Sequence, residues 1–387
     1  MSACLERLRQ GIAELDREGL LRHRRTLDSA QGAQVVIDGR RVLNFSGNDY
    51  LGLAADPRLA AAAHAAIDAF GTGAGASPLV SGHQRAHREA EERFARFAGV
   101  ERALLFGSGY AANLGVVTAL CGRDAEVFGD RLNHACLNDA AILSRARFTR
   151  YPHCDLDALE AALAASRAEV RLVATDTVFS MDGDLAPVAQ MLALCERHDA
   201  WLLLDDAHGI GVLGDTGRGA LRHFSLRSPR VIHMATLGKA LGGYGAFVGG
   251  AAEVIEWLLQ RARTYIYSTA LPATAAATAT AAMEAIEGDP TRVARLHARI
   301  GLFREACAAA ALAPMPSASA IQPLPVGMPE RAVALSAALF EAGFFVPAIR
   351  PPTVPRGTSR LRVSLSAAHS ADDVSALVAA IARCTSA

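Results

Sequence analysis

Short apolar runs alternate with longer segments of helical spacing along much of the chain. The apolar runs have the length of β-strands and lie at Ala103–Phe106, Glu126–Phe128, Val170–Thr177, Trp201–Leu204 and Val231–Ala235. The segments between them have the length of helices and lie at Ala111–Leu120, Leu137–Ser144, Leu156–Ala165 and Pro187–His198. Strands that are apolar throughout and alternate with helices are typical of a mostly parallel sheet with helices on both faces. The pattern therefore predicts an α/β fold.

The two ends of the chain have different patterns. Apolar residues recur at helical spacing within Ala3–Arg25, and Val35–Leu43 has two short apolar runs around a turn, which predicts a hairpin. The alternation stops at Glu287–Pro290, and shorter strands, helices and several prolines follow. We therefore predict an N-terminal arm over residues 1–45, a large domain over residues 46–287 and a small C-terminal α+β domain over residues 288–387. Within the large domain, the alanine- and threonine-rich stretch Ala273–Ala282 predicts a buried helix.

Composition narrows the class of protein. The 387 residues include 39 basic and 39 acidic side chains, and this balance argues against a nucleic-acid partner. No apolar run approaches the roughly 20 residues of a membrane-spanning helix, and Met1–Arg9 lacks the apolar stretch of a secretory signal. The seven cysteines are scattered without a CxxC pair, which is typical of free thiols in a reducing compartment. We expect a cytoplasmic protein without a membrane span or a metal site.

Polar residues and glycines follow five consecutive predicted strands. In an open α/β sheet, ligands bind beyond the carboxyl ends of the strands, so these segments predict a pocket. They are Gly107–Tyr110, Asp130–His134, Phe179–Asp184, Asp205–Gly209 and Thr236–Gly243.

Each segment has a functional and a structural interpretation. Gly107-Ser108-Gly109 could bind phosphate at a helix N-terminus, although an ordinary strand-to-helix turn has the same pattern. Asp205 closes an apolar strand, where a carboxylate is unfavourable unless a positive group pairs with it; alternatively it caps a loop. His134 and His208 could bind a metal, but no spacing such as HExxH supports that interpretation.

One lysine stands out among the basic residues. It is Lys239, and the other 38 of the 39 basic side chains are arginine. A primary amine can form a Schiff base with an aldehyde, whereas a guanidinium cannot. A phosphate cradle, a buried aspartate and a lysine at neighbouring strand ends fit pyridoxal phosphate, with Asp205 keeping the ring nitrogen protonated.

Four segments together resemble the α-oxoamine synthases: Asn44–Leu53, Phe179–Asp184, Asp205–Gly209 and Thr236–Lys239. The resemblance extends from Arg22 to His369. It implies a fold-type I pyridoxal-phosphate transferase, with a mostly parallel sheet in the large domain, the smaller C-terminal domain and the N-terminal arm. It also implies an acyltransferase that condenses an amino acid with an acyl thioester, with loss of carbon dioxide, and a homodimer with shared active sites.

The resemblance assigns roles to individual residues. The implied catalytic residues are Lys239, which holds the cofactor and moves the substrate proton, His134, which stacks on the ring, Asp205 and His208. Further cofactor contacts are implied at Gly109, Tyr110, Ser180 and Thr236, and from the neighbouring subunit at Ser268 and Thr269. The implied substrate-binding residues are Arg22, Asn48, His134, Arg350 and Thr353. Of these, the resemblance implies carboxylate binding for Asn48 and Arg350, and binding of the acyl partner for Arg22 and Thr353. Cys136 stands where many members carry serine, and Tyr110 where some carry phenylalanine.

Two C-terminal segments bear on the substrates. Ile321–Pro323 and Ala348–Pro355 resemble the members of biotin synthesis, which implies L-alanine and a pimeloyl thioester carried on acyl-carrier protein or coenzyme A. The alternative within the family is glycine or serine with another acyl-coenzyme A. Outside the family, the alternative is a non-catalytic cofactor-binding or scaffold protein. It is disfavoured because the full set of polar residues at the strand ends is present. A nicotinamide enzyme is disfavoured because Gly71–Gly75 follows a helix-like stretch and lacks the last glycine of the fingerprint.

Overall fold

The computed structural model describes residues 2–22 and 24–386. The helices are α1 (Ala3–Arg17), α2 (Pro57–Phe70), α3 (Arg85–Ala98), α4 (Gly109–Leu120), α5 (Ala135–Ser144), α6 (Leu156–Ala165), α7 (Val188–Arg197), α8 (Ala220–His223), α9 (Ala252–Arg261), α10 (Arg263–Ile266), α11 (Ala273–Gly288), α12 (Thr291–Ala309), α13 (Pro329–Glu341) and α14 (Ala371–Ser386). The strands are β1 (Gln34–Ile37), β2 (Arg40–Asn44), β3 (Arg102–Phe106), β4 (Ala125–Asp130), β5 (Arg147–Tyr151), β6 (Val170–Asp176), β7 (Trp201–Asp205), β8 (Val231–Thr236), β9 (Ala246–Gly250), β10 (Ile321–Gly327), β11 (Phe344–Phe345), β12 (Ala348–Ile349) and β13 (Ser359–Ser364).

A seven-stranded sheet forms the centre of the protein, in the order β3-β9-β8-β7-β6-β4-β5. The five strands from β8 to β5 in this order are parallel, and β9 is antiparallel to both of its neighbours. The prediction of a mostly parallel α/β sheet is confirmed. All five predicted strands are present as β3, β4, β6, β7 and β8, with ends that differ from the predictions by at most two residues.

Helices cover both faces of this sheet, as the continuous apolar runs predict. Along β7, Leu202 and Leu204 belong to one buried cluster and Leu203 to another, because successive side chains of a strand point to opposite faces. The second cluster also contains Ala112 of α4 and Leu137 of α5. The predicted alanine-rich helix is α11, and the side chains of its inner face are buried.

Two smaller sheets lie outside the central one. The antiparallel sheet has the order β10-β13-β12, and the other sheet has the order β1-β2-β11. In the second of these, β11 pairs in parallel with β2, so the predicted N-terminal hairpin is extended by a strand from the C-terminal part of the chain. The division into an arm and two domains stays a prediction.

The first helix is shorter than predicted. It ends at Arg17 instead of continuing to Arg25, and Gly19 adopts a φ of +65°, a left-handed conformation that often terminates helices. Part of the predicted helix end, His23, lies outside the described residues. Across the described helices, none combines the length and the apolar character that a membrane crossing requires.

The sheet brings several polar strand ends to one edge. Asp176 ends β6 and lies beside Asp205, which ends the adjacent β7. Asp205 in turn pairs with Met234 of β8, two residues before Thr236. Parallel strands place their carboxyl ends at the same edge, so this is where the predicted pocket forms.

Candidate active site

Asp205 is the buried carboxylate at the centre of this edge, with 3% of its surface exposed. Its Oδ2 accepts a hydrogen bond from Nδ2 of Asn113 at 2.7 Å, and its Oδ1 accepts one from the backbone N–H of Ala207 at 3.0 Å. Among the described residues, no basic side chain lies within salt-bridge distance of this carboxylate. A buried carboxylate of this kind favours a cationic ligand group.

Asp176 is a second buried carboxylate, and the sequence interpretation missed it. Burial, and then the neighbouring charge of Asp205, raise the pKa of Asp176 well above its usual range. Its Oδ2 accepts the backbone N–H of His134 at 2.7 Å, and so holds the start of α5. The available signal was an aspartate inside the apolar run Val170–Thr177, which we interpreted only as a strand.

Lys239 begins a chain of hydrogen bonds that passes through the buried side chains of His208 and Tyr50. Its Nζ lies 2.8 Å from Nε2 of His208, and Nδ1 of His208 lies 2.7 Å from the hydroxyl of Tyr50. That hydroxyl also lies 3.0 Å from Oδ1 of Asn48. Burial lowers the pKa of Lys239, against the opposing effects of Asp205 and Asp176. Burial, and then the charge of Lys239, lower the pKa of His208 well below its usual range, which favours a neutral imidazole beside the amine.

Arg362 is a buried cation that the sequence interpretation also missed. It lies on β13 with 5% of its surface exposed, and its Nε donates to the carbonyl of Ser180 at 2.6 Å. Its guanidinium also donates to Oδ1 of Asn48 at 3.3 Å and to Oγ of Ser364 at 2.8 Å. Within the described part of the chain, no carboxylate pairs with it. The available signal was weak, because the strand Ser359–Ser364 contains a second arginine and two serines beside its two apolar residues.

His134 is the N-cap residue of α5 and is exposed. Its Nδ1 accepts the backbone N–H of Cys136 at 3.3 Å and lies 2.9 Å from the Cys136 thiol. The same sulfur lies 3.1 Å from Nδ2 of Asn113. His134 and Asp205 are therefore connected through two buried side chains.

The other predicted cofactor residues surround this centre. Gly109 begins α4, and a Cβ there would meet Met234 at 3.5 Å, an ordinary van der Waals contact. Oγ1 of Thr236 accepts the backbone N–H of Gly238 at 3.4 Å. Tyr110 is 45% exposed, and its hydroxyl donates to Asp139 at 2.5 Å. The backbone carbonyl of Ser180 accepts the hydrogen bond from Nε of Arg362, which fixes the position of Ser180.

An open cavity of about 590 Å³ contains Lys239. It brings together Lys239 and the predicted substrate residue Asn48, with Gly242 and Gly243 in its wall. Ser268 and Thr269 do not line it; they are exposed and line a separate cavity with His83, His87 and Gly107.

The remaining substrate candidates lie toward the surface. Arg350 donates from Nη2 to the carbonyl of Leu21 at 3.2 Å, which places it against the segment that contains Arg22. Arg22 and Thr353 are exposed. Gly71 follows α2 directly, so the glycine-rich run Gly71–Gly75 does not connect a strand to a helix as a dinucleotide site requires.

Comparison with known proteins identifies the family. The profile described as aminotransferase class I and II matches residues 40–381. The 8-amino-7-oxononanoate synthase of Methylobacillus flagellatus is 56% identical over 374 residues, covering 97% of this chain and 94% of the relative. That of Nitrosospira multiformis is 53% identical over 376 residues, covering 97% and 95%. The chain belongs to the 8-amino-7-oxononanoate synthase family.

Solved structures agree with this membership. The Sphingomonas wittichii serine palmitoyltransferase aligns with a TM-score of 0.92 at 29% identity, covering 99% of this chain and 97% of that one. An S. paucimobilis serine palmitoyltransferase with bound PLP and myriocin aligns with a TM-score of 0.92 at 27% identity, covering 98% and 96%. The 8-amino-7-oxononanoate synthase of Francisella tularensis aligns with a TM-score of 0.77 at 30% identity, covering 88% and 97%. The predicted fold class is confirmed as the fold-type I, aminotransferase-like α/β fold.

Proposed function

We propose that this chain is an acyltransferase of biotin synthesis that uses pyridoxal 5'-phosphate. It condenses L-alanine with a pimeloyl thioester to give 8-amino-7-oxononanoate, carbon dioxide and the free thiol carrier. Membership of the 8-amino-7-oxononanoate synthase family supports the substrates. The single observation that carries the chemistry is Lys239, an amine buried beside the neutral ring of His208 near the carboxylate of Asp205.

The residues of the site fit pyridoxal phosphate. Asp205 is a buried carboxylate without a basic partner among the described side chains, and a protonated ring nitrogen would supply one. Ser108 and Gly109 at the start of α4 offer a helix N-terminus for the phosphate. Lys239 offers the amine that bonds to the aldehyde carbon. When bound, this cofactor withdraws electrons from the substrate Cα and makes its proton acidic.

Lys239 is the base in this proposal. Burial lowers its pKa, so Nζ can lose its proton more readily than an exposed lysine and then accept the Cα proton of alanine. His208 lies at hydrogen-bond distance from Nζ and holds the amine in the pocket. In the overall reaction, the alanine Cα bonds to the thioester carbonyl carbon, the thiol leaves, and the alanine carboxyl group departs as carbon dioxide.

Arg362 is the residue we assign to the alanine carboxylate. A guanidinium binds a carboxylate through two parallel hydrogen bonds, and a buried guanidinium without an anionic partner favours such a ligand. Asn48 contacts the same guanidinium, so its predicted role in carboxylate binding is retained. Arg350, which the resemblance assigned to a carboxylate, lies against Leu21 and belongs with Arg22 and Thr353 on the proposed path of the acyl partner. That partner is carried on coenzyme A or an acyl-carrier protein.

We further propose a homodimer that shares its active sites and a cytoplasmic location. Ser268 and Thr269 are exposed and lie outside the cavity of Lys239, which suits a contribution to the site of a second copy. Exposed apolar side chains on the nearby segments, Val80 at 78% and Tyr267 at 71%, would be covered in such an assembly.

A substrate-pair assay tests the proposed function. Release of free thiol is measured with alanine, glycine or serine, each combined with pimeloyl and with shorter and longer acyl thioesters. The expected result is the highest kcat/KM with alanine and the pimeloyl thioester. A higher value with glycine or serine and another acyl group would replace this proposal with the sister activity.

A further inference from the structure

The thiol of Cys136 lies between Asp205 and His134. In the proposed function, Asp205 would pair with the ring nitrogen of the cofactor and His134 would stack on the ring. Cys136 is 2% exposed, and its sulfur contacts the side chains of Asn113 and His134 at 3.1 and 2.9 Å. Cys136 belongs to the same buried cluster as Cys121, but only Cys136 among these two contacts the site. The direction of its hydrogen bonds follows from the donors around it.

Asn113 donates to the sulfur. The amide Nδ2 of Asn113 has two hydrogens; one points to Oδ2 of Asp205 at 2.7 Å and the other to Sγ of Cys136 at 3.1 Å. The S–H of Cys136 is then left for an acceptor. Nδ1 of His134 lies at 2.9 Å, whereas Oδ2 of Asp205 lies at 3.9 Å, so the imidazole is the nearer acceptor.

Two donors therefore converge on one ring nitrogen of His134. They are the thiol of Cys136 and its backbone N–H, which lies 3.3 Å from Nδ1 as part of the cap of α5. A nitrogen that accepts hydrogen bonds carries no proton, and a neutral imidazole then has its proton on the other nitrogen. Burial, and then the charge of Asp205, raise the pKa of Cys136 far above its usual range, so the thiol keeps the hydrogen that it donates.

We propose that Cys136 is a positioning residue that fixes the tautomer of His134. Its thiol holds Nδ1 as an acceptor, so that Nε2–H of the exposed ring is offered to an oxygen acceptor of the substrate, either a carboxylate or a thioester carbonyl. The backbone N–H of Cys136 is the more distant of the two donors, at 3.3 Å from Nδ1 against 2.9 Å for the thiol. Which substrate oxygen is bound rests on the proposed function, whereas the tautomer does not.

The direct test is the tautomer itself. The full-length holoenzyme is labelled with 15N-histidine, and the His134 signals are assigned from their loss in His134→Gln. The wild type is expected to show a protonated Nε2 and an unprotonated Nδ1. In Cys136→Ala the fraction with a proton on Nδ1 is expected to rise. In Cys136→Ser, which keeps a donor, the wild-type pattern is expected to return.

Kinetics give a second readout. Cys136→Ala is expected to lower kcat/KM by about tenfold through loss of one buried hydrogen bond. Cys121→Ala, which removes a buried thiol of the same cluster without a contact to His134, serves as the matched control and is expected to change neither the His134 signals nor kcat/KM. If Cys136→Ala does not fold, Cys136→Val fills the space without restoring a donor.

A protonated Nδ1 in the wild type overturns the proposal, and so does an unchanged His134 signal in the Ala or Val variant. Failure of the proposed function gives a different result. The thiol-release assay would then favour other substrates, while the tautomer of His134 would still depend on the side chain at position 136.

Discussion

Lys239 shows how much one residue can determine. Its amine is the only lysine side chain in the sequence, and it lies within hydrogen-bond distance of a buried, neutral histidine. An arginine at this position would keep a positive charge but could not bond to an aldehyde carbon. The chemistry therefore requires the amine and not only its charge.

Lys239→Arg is expected to reduce thiol release by about a thousand-fold or more, because the covalent link and the base are lost together. Borohydride reduction followed by peptide mass analysis should attach the cofactor to Lys239 in the wild type and to no side chain in the variant. Arg85→Lys is the control, since it adds an exposed amine on α3 and should acquire no label. Near-normal turnover of Lys239→Arg would contradict the mechanism.

Arg362→Lys is expected to raise the KM for alanine by about tenfold or more, since a lysine cannot bind a carboxylate through two parallel hydrogen bonds. The KM for the acyl thioester should change much less. Arg350→Lys is the matched comparison and should have the opposite selectivity. The assignment is wrong if Arg362→Lys changes both KM values equally while the free energy of unfolding stays the same.

The sequence predicts the site residues that follow the strands, and misses those that come from elsewhere. Asp205 and His208 were found because polar residues directly after an apolar strand are conspicuous, and Lys239 because it is unique. Asn113 lies within an apolar helix, and Tyr50 meets His208 only in the folded chain. Spacing along the sequence contains no information about such contacts, so Arg362 also required the structure. Asp176 is different, since it stands at the end of an apolar strand and the same rule would have found it.

At the scale of elements, the apolar runs predicted five of the seven central strands. The other two have different compositions. β5 is an edge strand with only one buried residue, and β9 contains two glycines in its five residues. Both therefore lack the continuous, β-branched apolar pattern on which the prediction depends. The order of strands in the sheet also could not be predicted from their order in the sequence.

His153 connects three of the loops at the carboxyl edge. Its Nδ1 lies 3.0 Å from Asp130 at the end of β4, and its Nε2 lies 2.7 Å from Asp184 in the loop after β6. Burial alone would lower the pKa of His153, but the hydrogen bonds to Asp130 and Asp184 outweigh it and raise the pKa to about 12. The folded protein therefore keeps a proton that the unfolded chain releases.

This linkage predicts a pH dependence of stability. Below the ordinary pKa of about 6.5 both states bind the proton and the stabilisation is complete; above it the stabilisation declines as pH rises toward the folded-state value. His153→Gln should lower the free energy of unfolding by about 2 kcal/mol at pH 6 and by less at pH 9, measured by denaturant titration. His64→Gln, on the exposed side of α2, is the control. If the difference in the free energy of unfolding between the wild type and His153→Gln stays constant or grows with pH, the linkage is contradicted.

At the scale of the whole molecule, the proposed shared sites predict complementation between an inactive variant and a variant with weakened cofactor binding. Lys239→Ala lacks the amine. A Ser268→Ala/Thr269→Ala double variant lacks the hydroxyl groups that would contact the cofactor phosphate in the active site of the other subunit. In a mixed dimer, one site would combine the intact Lys239 of one chain with the intact hydroxyl groups of the other.

Coexpressed and purified mixed dimers should therefore release thiol, and their active site should bind the cofactor as tightly as the wild type does. Each variant alone is defective in one of these two properties. Sedimentation should show a dimer in every sample. A control pairing of Lys239→Ala with wild type gives the activity of one intact site. If the mixed dimer shows only the weakened cofactor affinity of the double variant, Ser268 and Thr269 act within their own chain.

The sheet of β1, β2 and β11 has a consequence for folding during translation. Residues 43–45 at the end of the N-terminal hairpin pair with residues 343–345, so one edge of β2 lacks its partner until nearly all of the chain has left the ribosome. An unpaired strand edge is a template for wrong partners, and late, distant contacts slow the completion of a fold. During translation, this edge of β2 therefore stays without its native partner until residue 345 has left the ribosome.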